Sequence, residues 1–333
     1  MKALVFDRNG LENLRLADVE TPKPGPHDVL VRVRAASVNP VDYFAVVGIR
    51  NVKPIPHIPG VEFAGIVEAV GDHVADLKPG DRVAIYSRVF DGSCAMCLSG
   101  QEMLCRSGGI IGIVTNGGYA EYAVVPARNA FKIGDNVEWE LAASLSVGAL
   151  TAYHALRLAG VSPGELVVVV GASGNTGIFA VQLAKMMGAR VVAISRKQWL
   201  RELGAEEVVD MDRAREAVER ISGGSMADVV VDPLGSETMS KSIGLLGVNG
   251  RIVTFGALTG DELRISVREL YSKQIRVIGS TGGTRREMLD LVKMANEGRL
   301  RIKIWRRYSL EQSVDALSNL FSKERDGKIM IIP

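Results

Sequence analysis

Along the first 126 residues, apolar side chains come in short, β-branched runs at 29–33, 65–70, 82–86 and 119–125, each cut off by Gly, Pro or Asp. Runs of this length between turn formers predict short strands of an irregular, largely antiparallel barrel. Beyond residue 138 the rhythm changes. Apolar runs at 166–170, 190–194, 207–209, 228–231, 251–255 and 274–278 alternate with stretches of helical period at 176–187, around 198, at 213–221 and at 237–246. Strands of this kind separated by crossover helices predict a doubly wound parallel sheet of six strands in an α/β domain. After residue 282 the pattern gives one amphipathic helix, 286–297, and an alternating strand over 299–307, both expected to return to the first domain. The expected division is therefore 1–127 with 282–333, and 128–281 between them.

A chain of 333 residues can bury two such cores. Its formal charge of +2 supplies no basic stripe of the kind nucleic acid requires. The densest basic stretch alternates Arg299, Arg301 and Lys303 with Leu300, Ile302 and Ile304, the period of a half-buried strand with a solvated face. The amino terminus carries charges within its first eight residues and lacks an apolar leader with a cleavage site, and the run 166–170 is far too short to span a bilayer. These features predict a cytoplasmic protein with a small-molecule substrate and neither a membrane nor a nucleic-acid partner.

All three cysteines fall in one aperiodic lobe, about 91–105, where Asp91, Cys94, Cys97 and Cys105 are spaced D-x2-C-x2-C-x7-C. Soft thiolates clustered in this way suit a closed tetrahedral zinc site that supports the fold and leaves no position open to substrate. A Cys-x2-Cys pair in an intracellular type of chain favours metal over a disulfide, the other readings being a Cys94–Cys97 redox pair or three unrelated thiols. Asp91 is read as the fourth ligand, although an aspartate in a glycine-containing loop also serves as a turn residue.

Directly after the run 166–170 comes Gly171-Ala172-Ser173-Gly174-Asn175-Thr176-Gly177, opening a helix. A strand, a tight glycine turn and a helix amino terminus present backbone N–H groups and the positive end of the helix dipole to a pyrophosphate. At the end of the next strand, where an NAD site usually places an acid to grip both ribose hydroxyls, the chain reads Ile194-Ser195-Arg196-Lys197. A hydroxyl and two cations there suit a 2′-phosphate, so the expected cofactor is NADP(H).

Taken together, Gly60-Val61-Glu62-Phe63-Ala64-Gly65, Gly80-Asp81-Arg82-Val83, the cysteine lobe, Gly118-Tyr119-Ala120-Glu121-Tyr122, residues 142–153 and the glycine loop resemble the medium-chain dehydrogenase/reductase superfamily over essentially the whole chain. The resemblance implies a GroES-like catalytic domain, a Rossmann cofactor domain and a homodimer or homotetramer. It also implies that Thr151, Leu234, Phe255, Gly256 and Ser280 contact the nicotinamide half of the cofactor. Where the family's alcohol dehydrogenases hold a catalytic zinc, this chain carries Asn39, Val61 and Val147, and a catalytic metal is not expected. The loop 37–48 is instead similar to that of the zinc-free quinone and enoyl reductases.

Without a Lewis acid, an oxyanion forming on the substrate must be met by protein donors or by the cofactor ribose, one such donor typically lowering the barrier by about 3 kcal/mol. Tyr43 and Asn39 are the candidates, with Asp42 orienting the loop. The leading expectation is an NADPH-dependent reductase of activated double bonds or quinones. The alternatives are a carbonyl reductase or alcohol dehydrogenase acting on bulky or cyclic ketones without catalytic zinc and, more remotely, a cofactor-binding protein with little turnover.

Overall fold

The five residues Leu166–Val170 are all buried, as a strand covered on both faces demands. In the computed structural model, which describes residues 1–333, they lie inside a six-stranded parallel sheet ordered Glu207–Val209, Arg190–Ile194, Leu166–Val170, Ala227–Val231, Leu246–Thr254, Arg276–Gly279. The chain winds outward from Leu166–Val170 in one direction, then restarts beside it at Ala227–Val231. That reversal makes the carboxyl end of Leu166–Val170 a topological switch point, where open α/β sheets bind ligands. Two sequence expectations shift here. The stretch around residue 198 forms a 3-10 helix, Gln198–Leu203, and the helix expected at 237–246 ends at Ile243, because buried Leu246 already opens the next strand. That strand accommodates a register shift opposite Ala227 and Val229 and a left-handed Asn249.

In the other unit the ten-residue strand Asp28–Ser37 is the hub, pairing antiparallel with Glu62–Val70, Tyr122–Pro126 and Lys328–Ile332. Arg82–Ile85 and Ala130–Lys132 extend the sheet on one side, and Ile304–Ser309 closes the other. Alternating residues of these strands, among them Val29, Val31, Val33, Phe63, Val83, Ile85, Ile329 and Ile331, form the core. The expected strand 119–125 splits: Tyr119 and Ala120 bond to the amino-terminal strand Lys2–Val5, and the ladder to Asp28–Ser37 runs from Tyr122.

Contacts divide the chain into Met1–Val147 with Gly283–Pro333, and Gly148–Gly282. The first junction thus lies some twenty residues beyond the expected 127/128. Residues 128–147 stay with the first unit because Ala130–Lys132 pairs with Arg82–Ile85, and because the Arg82 guanidinium lies 4.0 Å from the Trp139 ring and donates to Val137 O at 2.6 Å. The helix after residue 282 is Arg285–Asn296, begun by a Thr284/Glu287 capping box. The expected strand 299–307 begins only at Ile304, since Arg299 N still bonds back to Met294 O through the turn at Gly298. No helix is long and apolar enough to cross a membrane.

Candidate functional site

The strand Asp28–Ser37 ends in Ser37, and helix Pro40–Val46 begins three residues later, with Pro40 supplying the fixed φ of a first helical turn. Asp42, in that turn, is fully buried. One carboxylate oxygen accepts from Asn39 N (2.9 Å) and the other from Val61 N (2.8 Å), so the carboxylate ties the loop to the start of the next strand. The Tyr119 hydroxyl, which donates to Ser37 O at 3.3 Å, also lies against it. Burial pushes the Asp42 carboxyl up to about 7, against the opposing pull of these donors. Burial and the neighbouring Asp42 likewise raise the Tyr119 phenol.

A second buried carboxylate, Glu62, stands beside the first. Its Oε2 accepts from Asn39 Nδ2 (3.0 Å) and from Lys328 Nζ (3.3 Å), and its Oε1 accepts from Val147 N (2.6 Å). Glu62 and Lys328 are both 0% exposed, and burial lowers the Lys328 ammonium while Glu62 partly restores it. Glu62 and Asp42 therefore draw positions 39, 61 and 147 together, yet none of the three offers a metal a strong donor. Val61 and Val147 belong to a small apolar cluster with Ala45 and Ile113. The Asn39 amide is committed inside the chain, its Nδ2 donating to Glu62 and, at 3.3 Å, to Ser37 O. This corrects the sequence expectation for Asn39: both N–H groups that would meet an oxyanion already have acceptors.

Tyr43 sits one residue beyond Asp42 and is half-buried, its ring edge-on to Phe321 (centroids 5.1 Å, 89°) and to Phe44 (6.1 Å, 72°). Two aromatic contacts fix the ring without engaging its hydroxyl.

In the cysteine lobe the donor atoms of Asp91, Cys94, Cys97 and Cys105 all lie within 4.8 Å of one another. Sγ of Cys94 is 3.6 Å from that of Cys97 and 3.9 Å from that of Cys105, and Cys105 Sγ is 3.3 Å from Asp91 Oδ2. Zinc–sulfur bonds of about 2.3 Å at tetrahedral angles place sulfurs about 3.8 Å apart, so the cluster fits a zinc ion. The cysteines are unbridged. Asp91 serves as a turn residue through one oxygen and sets the other within the cysteine cluster. Its Oδ1 accepts from Ser93 N (2.7 Å) and Cys94 N (2.8 Å) as a turn residue, while Oδ2 faces Cys105 and takes a hydrogen bond from Ser107 Oγ. These donors hold its carboxyl far below the usual range, whereas desolvation pushes the Cys97 thiol up to about 12.

In the parallel-sheet unit, Gly171 turns the chain at φ +64° directly after Leu166–Val170, and helix Gly177–Met186 follows. A side chain at Gly177 would meet Gly171 O at 2.4 Å, so only glycine lets the helix start this close to the strand. Gly174 N bonds to Gly171 O at 2.8 Å and Ile178 N to Gly174 O at 3.1 Å, so the loop winds directly into the helix, whose amino terminus carries the positive end of the dipole. Ser195 Oγ donates to Ser173 Oγ (3.1 Å) and accepts from Lys197 N (3.2 Å), which joins the end of the second strand to the glycine loop; Arg196 is exposed. This strand, glycine turn and helix start bring Gly171, Ser173, Gly174, Asn175, Thr176 and Gly177 into the one loop that the sequence assigns to a pyrophosphate. Farther along the same sheet edge, Leu234 packs 3.4 Å from the space above Gly171, Gly256 approaches Pro233 O too closely for any side chain, Phe255 precedes it, Ser280 N bonds to Thr254 O, and Thr151 is nearly buried. Asp232, missed from sequence, is buried and orders the loop after its strand by accepting from Leu234 N, Thr238 Oγ1 and Ser242 Oγ. Lys328 and the role of Tyr119 were missed as well. The available signal was a lone lysine heading the apolar strand Lys328–Ile332.

Residues 25–135 match the alcohol dehydrogenase GroES-like domain model, and residues 176–297 match the zinc-binding dehydrogenase model. A thermostable alcohol dehydrogenase from Pyrobaculum aerophilum, solved at 1.75 Å, is 48% identical, with a TM-score of 0.94 over 100% of this chain and 99% of that one. An NAD-dependent alcohol dehydrogenase from Sulfolobus acidocaldarius is 35% identical over 98% of both chains. The quinone oxidoreductase of Homo sapiens is 28% identical over 98% of this chain and 96% of its own.

Proposed function

Because this chain belongs to the medium-chain dehydrogenase/reductase superfamily and is an oxidoreductase of that family, we propose that it transfers hydride between NADP(H) and a carbonyl/alcohol pair without a metal at the reacting atoms. One observation carries this reading: positions 39, 61 and 147 are drawn together by Glu62 and Asp42, but hold an engaged amide and two valines in place of metal donors. A dinucleotide held at the glycine loop would supply the hydride. The chain must meet the charge that hydride addition leaves on oxygen and deliver a proton to it. Tyr43 is assigned both tasks, since its ring is clamped and its hydroxyl is not engaged by either aromatic neighbour. Asp42, Asn39 and Glu62 position the loop that carries it.

The identity to alcohol dehydrogenases, 48% and 35%, exceeds that to the quinone oxidoreductase, 28%, and moves carbonyl chemistry ahead of the double-bond reduction expected from sequence. Reduction of quinones or enones is the second reading, supported by the metal-free loop and by that last relative. For the cofactor, Ser195, Arg196 and Lys197 support NADP(H), although the Sulfolobus relative is named for NAD. The cysteine lobe is assigned one structural zinc. The assembly is expected to be a homodimer or homotetramer in the cytoplasm. An NADPH-oxidation screen over ketones, quinones and enones, with products identified by mass, tests the assignment. Alcohol products support it, saturated ketones or quinols select the second reading, and no turnover with any acceptor overturns both.

A further inference from the structure

In the unit that carries the cysteine lobe, the turn at 25–28 lies against the turn at 71–74. Gly71 N donates to Asp28 O and His73 N to Pro26 O, both at 2.9 Å. This pairing brings together two exposed imidazoles that the hydride chemistry does not use. Nδ1 of His73 lies 3.3 Å from Nε2 of His27, with ring centroids 4.7 Å apart and planes inclined at 56°. Two neutral ring nitrogens can hold that distance only if one donates a proton to the other, because two bare lone pairs repel. A cation taken up by both lone pairs is the alternative to that proton. Two zinc–imidazole bonds of about 2.0–2.1 Å at a tetrahedral angle span about 3.3–3.4 Å, so the pair already has a chelating separation.

We propose that His27 and His73 form a second metal site, distinct from the cysteine cluster, for a tetrahedral late first-row divalent cation of the zinc type. Both rings border a cavity of about 450 Å³ that also reaches Asp28, Pro126 and Arg128, leaving room for water to complete the coordination. The one cation on this wall is directed elsewhere: the Arg128 guanidinium stacks 4.1 Å over the Phe90 ring and donates to Phe90 O. Asp28 supplies the compensating negative charge, its carboxylate accepting from Gly25 N at 3.3 Å. Imidazole donors select zinc-type cations over Mg²⁺ and Ca²⁺, which take oxygen ligands. With only two protein ligands the site exchanges its metal readily. An occupied site clips one turn to the other and stabilises the folded form by mass action.

The test uses the full chain, free of any tag and already carrying the zinc of its cysteine lobe, titrated with further Zn²⁺ by calorimetry and followed by thermal unfolding. The expected result is one additional saturable site and a Tm that rises with Zn²⁺ but not with Mg²⁺. His27→Ala and His73→Ala should each weaken the added site at least tenfold while keeping the unfolding temperature of the untitrated protein, since both side chains lie on exposed turns. No saturable second site, unchanged affinity in both variants, or an equal Tm response to Mg²⁺ would each overturn the proposal.

Discussion

Lys328→Met tests whether the buried charge pair beside the loop supports the fold. The substitution keeps most of the apolar stem and removes the ammonium 3.3 Å from Glu62, at a site where both side chains are 0% exposed. Glu62 then keeps its hydrogen bonds from Asn39 Nδ2 and Val147 N but loses its counter-charge. Stranding one member of a buried pair typically costs about 3–5 kcal/mol, and the two remaining donors place the expected loss near the lower bound, about 3 kcal/mol. At about 2–4 °C per kcal/mol for a unit of roughly 200 residues, Tm should fall by about 6–12 °C. Urea unfolding, with Glu62→Gln/Lys328→Met as the closing corner of a cycle, measures the effect. The double variant should recover more than half of the loss. A Lys328→Met stability within 0.5 kcal/mol of the parent, or a double variant no better than the single one, would show that the pair is energetically idle.

Four further outcomes follow from the same structure. Tyr43→Phe should lower kcat more than tenfold with little change in the KM for NADPH, as removal of a transition-state contact requires; an unchanged kcat in steady-state assays leaves the tyrosine only its packing role. NADPH should exceed NADH at least about tenfold in kcat/KM, about 1.4 kcal/mol, and the double substitution Arg196→Ala/Lys197→Ala should erase most of that margin through KM; equal values in the parent enzyme would place these cations in solvent. Elemental analysis after dialysis should find about one tightly held zinc per chain, and Cys97→Ser should lower Tm while the folded fraction keeps its kcat; two tightly held zincs contradict the assignment. Asp42, raised from 3.8 to about 7, binds a proton more tightly folded than unfolded, so its contribution to stability is greatest below about pH 4 and is lost as pH rises through 7. Asp42→Asn should therefore flatten the stability profile between about pH 4 and 7 in urea titrations, and a profile as steep as the parent's excludes Asp42 as its source.

The parallel sheet was legible because each strand is a continuous apolar run and each connection changes period, signals carried by neighbouring residues. The cysteine lobe and glycine loop were legible for the same reason: their donors and turns lie within fifteen residues of one another. The loop 37–48 was read less well. The sequence offers Asn39 as a polar side chain facing substrate, but its acceptors are Glu62, 23 residues away, and Ser37 O, and Glu62 is in turn held by Lys328, 266 residues away. Partnerships across such distances leave no local period. The junction at 147/148 was misplaced because Ala130–Lys132 takes its neighbour from Arg82–Ile85, and nothing near residue 128 announces that pairing.

The strand Lys328–Ile332 also sets an order of events during synthesis. Gly148–Gly282 is one continuous stretch, and all six strands of its sheet have left the ribosome before the remaining part of the other unit emerges. The hub strand Asp28–Ser37, made near the start, waits for Ile331 to pair with Ala36 and for Lys328 to reach Glu62. At about 5–20 residues per second, the interval from Val147 to the last strand is about 10–40 s, during which one edge of the hub lacks its final neighbour and Glu62 its counter-charge. The nascent chain thus passes through a stage with the nucleotide-binding half complete and the loop bearing Tyr43 still unsupported. Translation stalled after Gly282 has emerged and before Lys328 does should leave a product able to bind dinucleotide and unable to turn over.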